Sequence, residues 1–102
     1  MLSEIISFWF DPKHKENLFK KDKNFDDLIK SKFLKFFEES INSIDISTIK
    51  TPLDCLAYII LFDQFPRNMF RDSPKSFSSD SLALSLSILA IDRGYDKGLI
   101  SI

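Results

Sequence analysis

The densest run of chemistry-bearing side chains is Asp63-Gln64-Phe65-Pro66-Arg67-Asn68-Met69-Phe70-Arg71-Asp72, with Asp80 a short way beyond. Every Arg in the chain lies from Arg67 onward, although Lys outnumbers Arg by 11 to 3. A Lys-rich chain that places Arg here has a use for the planar guanidinium, which grips a carboxylate or phosphate through two parallel hydrogen bonds where an ammonium cannot. The residue types allow two arrangements. In one, Arg67 or Arg71 makes a two-point contact with Asp63 or Asp80 and ties the segment to the following helix, while Gln64 and Asn68 satisfy nearby backbone groups. In the other, Asp63, Gln64, Arg67, Asn68, Arg71 and Asp80 line a pocket for an anionic or polar ligand. The residues alone leave both open.

Other chemistries find no support. His14 is the only His and Cys55 the only Cys, so neither a zinc set nor a Cys-His pair can be assembled on spacing, and no metal or cofactor is expected. His14 lies in a Lys-rich connection, and Cys55 reads as a small core residue. Ser is frequent from Ser76 to Ser87, but no nucleophile elbow surrounds any of them, and two Gly cannot supply a phosphate loop. The pairs Asp26-Asp27 and Glu38-Glu39 are adjacent, so on a helix they point in different directions and cannot share a proton. Asp26 and Asp27 read instead as charges suited to a helix start.

The elements that hold the polar segment follow from composition and periodicity. The chain has 102 residues and is 44 % apolar, with eleven Phe and no Val, which suits one helical domain spanning residues 1–102. Its net charge is −1. From Lys13 to Lys35 eight Lys face Glu16, Asp22, Asp26 and Asp27, a local excess of +4. No exposed aromatics interleave with them, so this is read as a solvated face and nucleic acid is not an expected partner. No apolar run approaches the roughly 20 residues of a membrane span. The start lacks the basic region of a secretory leader, so a reduced, cytoplasmic setting is expected.

Four helices are predicted. The first covers Glu4 to Phe10, capped by Ser3 and stopped by Asp11-Pro12. The second starts at Asn24 and carries Phe25, Leu28, Ile29, Phe33, Phe36, Phe37, Ile41 and Ile44 at helical spacing. The third opens at Thr51-Pro52, is apolar nearly all round, and is expected to end at Pro66. The fourth is expected from Ser73-Pro74 to Arg93, with Gly94 as its left-handed stop. Phe77, Leu84, Ile88 and Ile91 line one of its faces, and Leu82, Leu86 and Leu89 a second. No run alternates with period two for long enough to compete as a strand. The fold class is therefore all-α, in antiparallel helix pairs.

The chain also resembles a family. Ser7-Phe8-Trp9-Phe10, Leu18-Phe19-Lys20-Lys21-Asp22, Phe25-Asp26, Phe33, the block Leu61-Phe62-Asp63-Gln64-Phe65-Pro66-Arg67-Asn68-Met69-Phe70-Arg71, then Phe77, Asp80 and Arg93-Gly94 are similar to the bacterial family called domain of unknown function 924. The resemblance runs in order along nearly the whole chain, and the Asp63 to Arg71 block is its specific part. It implies a tetratricopeptide-like helical fold and no established activity, and its recurrent polar positions fall on Asp63, Gln64, Arg67, Asn68, Arg71 and Asp80. Leu18 stands where the family usually has Trp. Family members continue past Gly94 into further helices with a His-Ser-Glu motif, so this chain is expected to match the N-terminal portion of a longer domain.

Two functions fit. The leading expectation is a partner-binding helical module whose uncovered apolar faces meet a second copy or a separately encoded C-terminal half. The alternative is part of a small-molecule-binding or hydrolytic enzyme site on the Asp63–Arg71 segment and Asp80.

Overall fold

The computed structural model describes residues 1–17 and 20–95. Its helices are α1 (Leu2–Trp9), α2 (Lys23–Ser43), α3 (Pro52–Ile59), α4 (Phe65–Met69) and α5 (Asp80–Asp92), and no strand occurs among the described residues. The fold is all-α, as expected. α1 packs on α3, α2 on α4 and α3 on α5, so the middle of the chain is the hub of the domain. The Leu18 position and the apolar tail at Leu99, Ile100 and Ile102 lie outside the described residues.

Local chemistry explains most helix ends. Asp22 caps α2 by accepting from the Phe25 backbone N–H at 3.1 Å, so the cap falls two residues before the expected Asn24. Thr51 caps α3 as expected, accepting from the Asp54 N–H at 3.1 Å with Pro52 in the first turn. Met1, not Ser3, precedes α1, and no side chain caps it. Ser73-Pro74 opens only a short 3-10 turn, Pro74–Phe77, and α5 begins later at Asp80. A Ser-Pro start suits either helix type, because both leave the first N–H without an internal acceptor. Gly94 has φ +73° and ends the chain's last described helix in the expected left-handed conformation.

The largest departure from expectation is at Pro66, which does not end the third helix. Residues 52–69 form one continuous helix in which Ile60–Gln64 is a π-helical turn, with the Phe65 N–H reaching back five residues to the Ile60 carbonyl. In an α-helix the residue 66 N–H would bond the Phe62 carbonyl; Pro66 has no N–H, and its ring crowds that carbonyl. The widened turn relieves the crowding, as π-bulges do. The orphaned Phe62 oxygen is taken by the buried Ser79 hydroxyl, which donates to it at 2.5 Å. A side chain seventeen residues away thus completes the backbone ladder that Pro66 breaks.

The core is aromatic. Phe33 stacks on Phe65 at 4.8 Å, Phe8 meets Phe33 edge-on at 5.4 Å, and Phe37 joins Phe62 and Phe70 at 5.9 and 5.7 Å. Such ring pairs contribute about 0.5–1.5 kcal/mol each beyond burial. Because Phe62, Phe65 and Phe70 are anchored here, the polar residues between them are held on the helix's remaining faces.

Candidate functional site

On the helix of residues 52–69, Asp63 and Arg67 are four residues apart, and so are Gln64 and Asn68, with Arg71 three beyond Asn68. These are two adjacent stripes. The structure accordingly divides the six expected residues into two clusters rather than one pocket.

The first cluster is centred on a residue that sequence reasoning assigned elsewhere. Asp26, in the first turn of α2, is buried at 8 % exposure and accepts three hydrogen bonds. Asn68 Nδ2 donates to its Oδ1 at 3.0 Å, Arg71 Nη2 to the same oxygen at 3.1 Å, and Arg71 Nε to Oδ2 at 2.6 Å. This is the two-point guanidinium–carboxylate contact that Arg retention implied, made by Arg71, one of the two arginines expected, but to Asp26 in place of Asp63 or Asp80. Arg71 also donates to the Lys20 carbonyl at 3.2 Å, so it fastens the segment before α2 as well. The hydrogen bonds to Asp26 raise the Arg71 pKa above its ordinary value, against an opposing effect of burial. A pattern in α2 could have revealed Asp26: it precedes Ile29 by three residues and Phe33 by seven, so it lies in phase with the core stripe, whereas Asp27 does not. Around the pair, Lys21–Asp72 at 3.0 Å and Lys23–Asp27 at 3.1 Å line a shallow cleft of about 300 Å³.

The second cluster holds Asp63, Gln64, Arg67 and Asp80. Arg67 Nη2 bonds Asp63 Oδ1 at 3.0 Å and Asp80 Oδ1 at 3.5 Å, so one nitrogen bridges two carboxylates and neither contact is two-point. Gln64 Nε2 donates to Asp63 Oδ2 at 2.6 Å. The Arg67 guanidinium lies 5.0 Å from the Phe77 ring centre, and its Nη1 is buried without an acceptor among the described residues. The negative face of the ring offsets part of that deficit. Arg67 therefore ties the π-turn to the start of α5.

What can these clusters do chemically? The Asp26 oxygens are already engaged by three N–H donors, so the carboxylate serves as a clamp. The Asp63–Arg67–Asp80 set carries one uncompensated negative charge at a half-exposed position. His14 and Cys55 reach neither cluster: His14 bonds the Phe8 carbonyl, and the Cys55 thiol, its pKa raised by burial, lies 3.6 Å from the Leu86 carbonyl. Among the described residues no three His, Cys, Asp or Glu converge to hold a metal ion.

The polar block, its order along the chain and the all-α frame agree with one family. Residues 5–102 match the family described as bacterial protein of unknown function (DUF924). The chain belongs to that family. Neither a curated protein nor a solved structure matches it. In this family member, the Asp63 to Arg71 block that carries the resemblance is the stretch that joins α2, the π-turn and α5, through Asp26 on one side and Asp80 on the other. No described helix is long and apolar enough to cross a membrane.

Proposed function

We propose that this chain is a partner-binding helical module whose docking surface is the outer face of α5. The observation that carries the reading is the distribution of apolar side chains on that helix. Its inner face uses Ala83, Leu86 and Ala90, all buried. Its outer face presents Leu84, Ile88 and Ile91, and Phe77 of the preceding 3-10 turn is exposed as well, each between 59 % and 67 %. Within α5 the positions Ser81, Leu84, Ile88 and Ile91 follow one another at steps of three, four and three, which is the seam of a helix that pairs with another helix. No charged residue lies between Asp80 and Asp92 to solvate that seam. A helix apolar on opposite sides belongs between two layers. The occupant is therefore an α-helix with its own uncharged stripe, supplied by a separately encoded half or by a second copy. Helix pairs that stack in this open-ended way also accord with the expected tetratricopeptide-like arrangement. Nucleic acid is not a partner in this reading, since Lys23 is held by Asp27 and no exposed aromatic interleaves with Lys30, Lys32 and Lys35 on α2.

Size exclusion with light scattering tests it. The chain is expected to associate, or to remain at 11.9 kDa and bind an apolar dye, and Leu84→Glu with Ile88→Glu is expected to abolish both without changing helix content. A monodisperse monomer with a sharp reversible thermal transition and no dye binding overturns the reading. The second reading, a small polar ligand at Asp63, Gln64, Arg67 and Asp80, is favoured by one feature, the two carboxylates sharing a single guanidinium nitrogen. Asp80→Asn separates the two readings: it removes the uncompensated charge and leaves the α5 seam intact.

A further inference from the structure

The only histidine is held in one orientation away from both clusters. His14 Nδ1 lies 2.9 Å from the Phe8 carbonyl oxygen, which can only accept, so Nδ1 carries the proton and the neutral ring keeps its lone pair on Nε2. The ring packs against Phe8 at 4.1 Å and Phe25 at 5.4 Å, which fixes its plane. A ring positioned through one nitrogen, with the other left available, is the arrangement by which proteins aim an imidazole at a ligand. Here Nε2 has no partner among the described residues.

His14 lines a cleft of about 390 Å³ between α1, the 3-10 turn Pro12–His14 and α2. Its polar lining divides cleanly. Asp11 and Lys13 satisfy each other, with the Lys13 backbone N–H on Asp11 at 3.0 Å and the side chains 3.5 Å apart. Glu4 and Lys32 also face the cleft, yet neither forms an ion pair with the other or with any described residue. Ser3 and Ser7, one turn apart on α1, bring hydroxyls with no hydrogen-bond partner among the described residues, and Leu28 and Phe8 form an apolar wall. The unpaired set is thus one cation, one anion, one imidazole lone pair and two hydroxyls. A dianion such as a phosphomonoester would meet the Glu4 charge, and a metal ion would find too few ligands. One positive and one negative group complement a molecule that carries one of each.

We propose that this cleft binds a small zwitterion of the α-amino-acid class. Lys32 and the serine hydroxyls take its carboxylate, Glu4 and His14 Nε2 accept from its ammonium, and Leu28 with Phe8 packs an apolar side chain. Because His14 is the only His, its Nε2 resonance is unambiguous in a long-range nitrogen–proton correlation spectrum of the labelled full chain. Titration with L-leucine and L-phenylalanine is expected to move that resonance saturably. N-acetyl-L-leucine, which lacks the ammonium, and isopentylamine, which lacks the carboxylate, are expected to bind at least about tenfold more weakly. Glu4→Gln and Lys32→Gln, both at exposed and unpartnered positions, are expected to weaken L-leucine about tenfold while leaving the circular dichroism spectrum unchanged. The proposal is overturned by a shift that stays linear, by either analogue matching the amino acids, or by both variants binding as the parent does.

Discussion

Replacing Arg71 by Ala tests whether the family's polar block is a clamp. The perturbation removes two charge-assisted hydrogen bonds, of 2.6 and 3.1 Å, from a carboxylate that keeps only Asn68. Breaking a buried pair costs about 3–5 kcal/mol, because the remaining charge is stranded, whereas exposed pairs contribute under about 1 kcal/mol. The side chains here are 28 % exposed for Arg71 and 11 % for Asp26, so water reaches the arginine end when it is truncated. The low end of the buried range applies, about 3 kcal/mol. Total stability for a domain of this size is about 5–15 kcal/mol, so the loss is a large share of it. In urea, with a slope of about 1.5 kcal/mol per molar, the unfolding midpoint falls by about 2 M. Arg71→Lys restores the charge without the fork and is expected to fall between the parent and the alanine variant. A double-mutant cycle with Asp26→Asn isolates the pair and should return a coupling of about 2 kcal/mol. A loss under about 1 kcal/mol for Arg71→Ala, or a coupling near zero, refutes the clamp and returns Arg71 to the ligand-site reading.

Ser79→Ala leaves the Phe62 carbonyl without a donor beside Pro66, and chemical denaturation is expected to show a loss of about 1–3 kcal/mol; Pro66→Ala in the same background supplies a new N–H and should recover part of it. The Asp22 cap makes stability pH-dependent: the Phe25 backbone N–H, then Asn17, hold its carboxyl below the usual range against an opposing effect of burial. A depressed folded pKa contributes stability above the unfolded value of about 3.9 and loses it as pH falls through the folded value. Asp22→Asn, which still accepts from Phe25 but does not titrate, should flatten the fall of melting temperature below about pH 4. Exchanging Lys30, Lys32 and Lys35 for Gln should leave nucleic-acid titrations unchanged and featureless, since tight binding with a steep salt dependence is the mark of phosphate contacts.

The sequence by itself determined the fold class and most of the core. Phe25, Ile29, Phe33 and Phe37 repeat at helical spacing, and all four are buried, because a period of 3.6 can satisfy such a stripe only as a helix against a core. Thr51-Pro52 and Gly94 marked helix ends because capping is local chemistry, settled within a few residues. It also marked the Asp63 to Arg71 block as the densest run of polar and charged side chains. Only the tertiary structure decided which carboxylate each guanidinium meets. Asp26 lies 45 residues before Arg71, and nothing local to either names the other; Asp26 read as a helix-start charge, although its phase with Ile29 and Phe33 was a signal that it points inward. The course of the helix through Pro66 was undecidable locally for the same reason. A proline ends a helix when the carbonyl it orphans has no other donor, and here Ser79 supplies that donor from the start of another helix. Nor could periodicity choose between the two apolar faces of α5. Ala83 and Ala90 are small enough to let α5 approach α3 closely, and that approach turns Leu84, Ile88 and Ile91 outward. Spacing along a chain fixes which residues share a face, but which face is covered depends on what the rest of the chain brings against it.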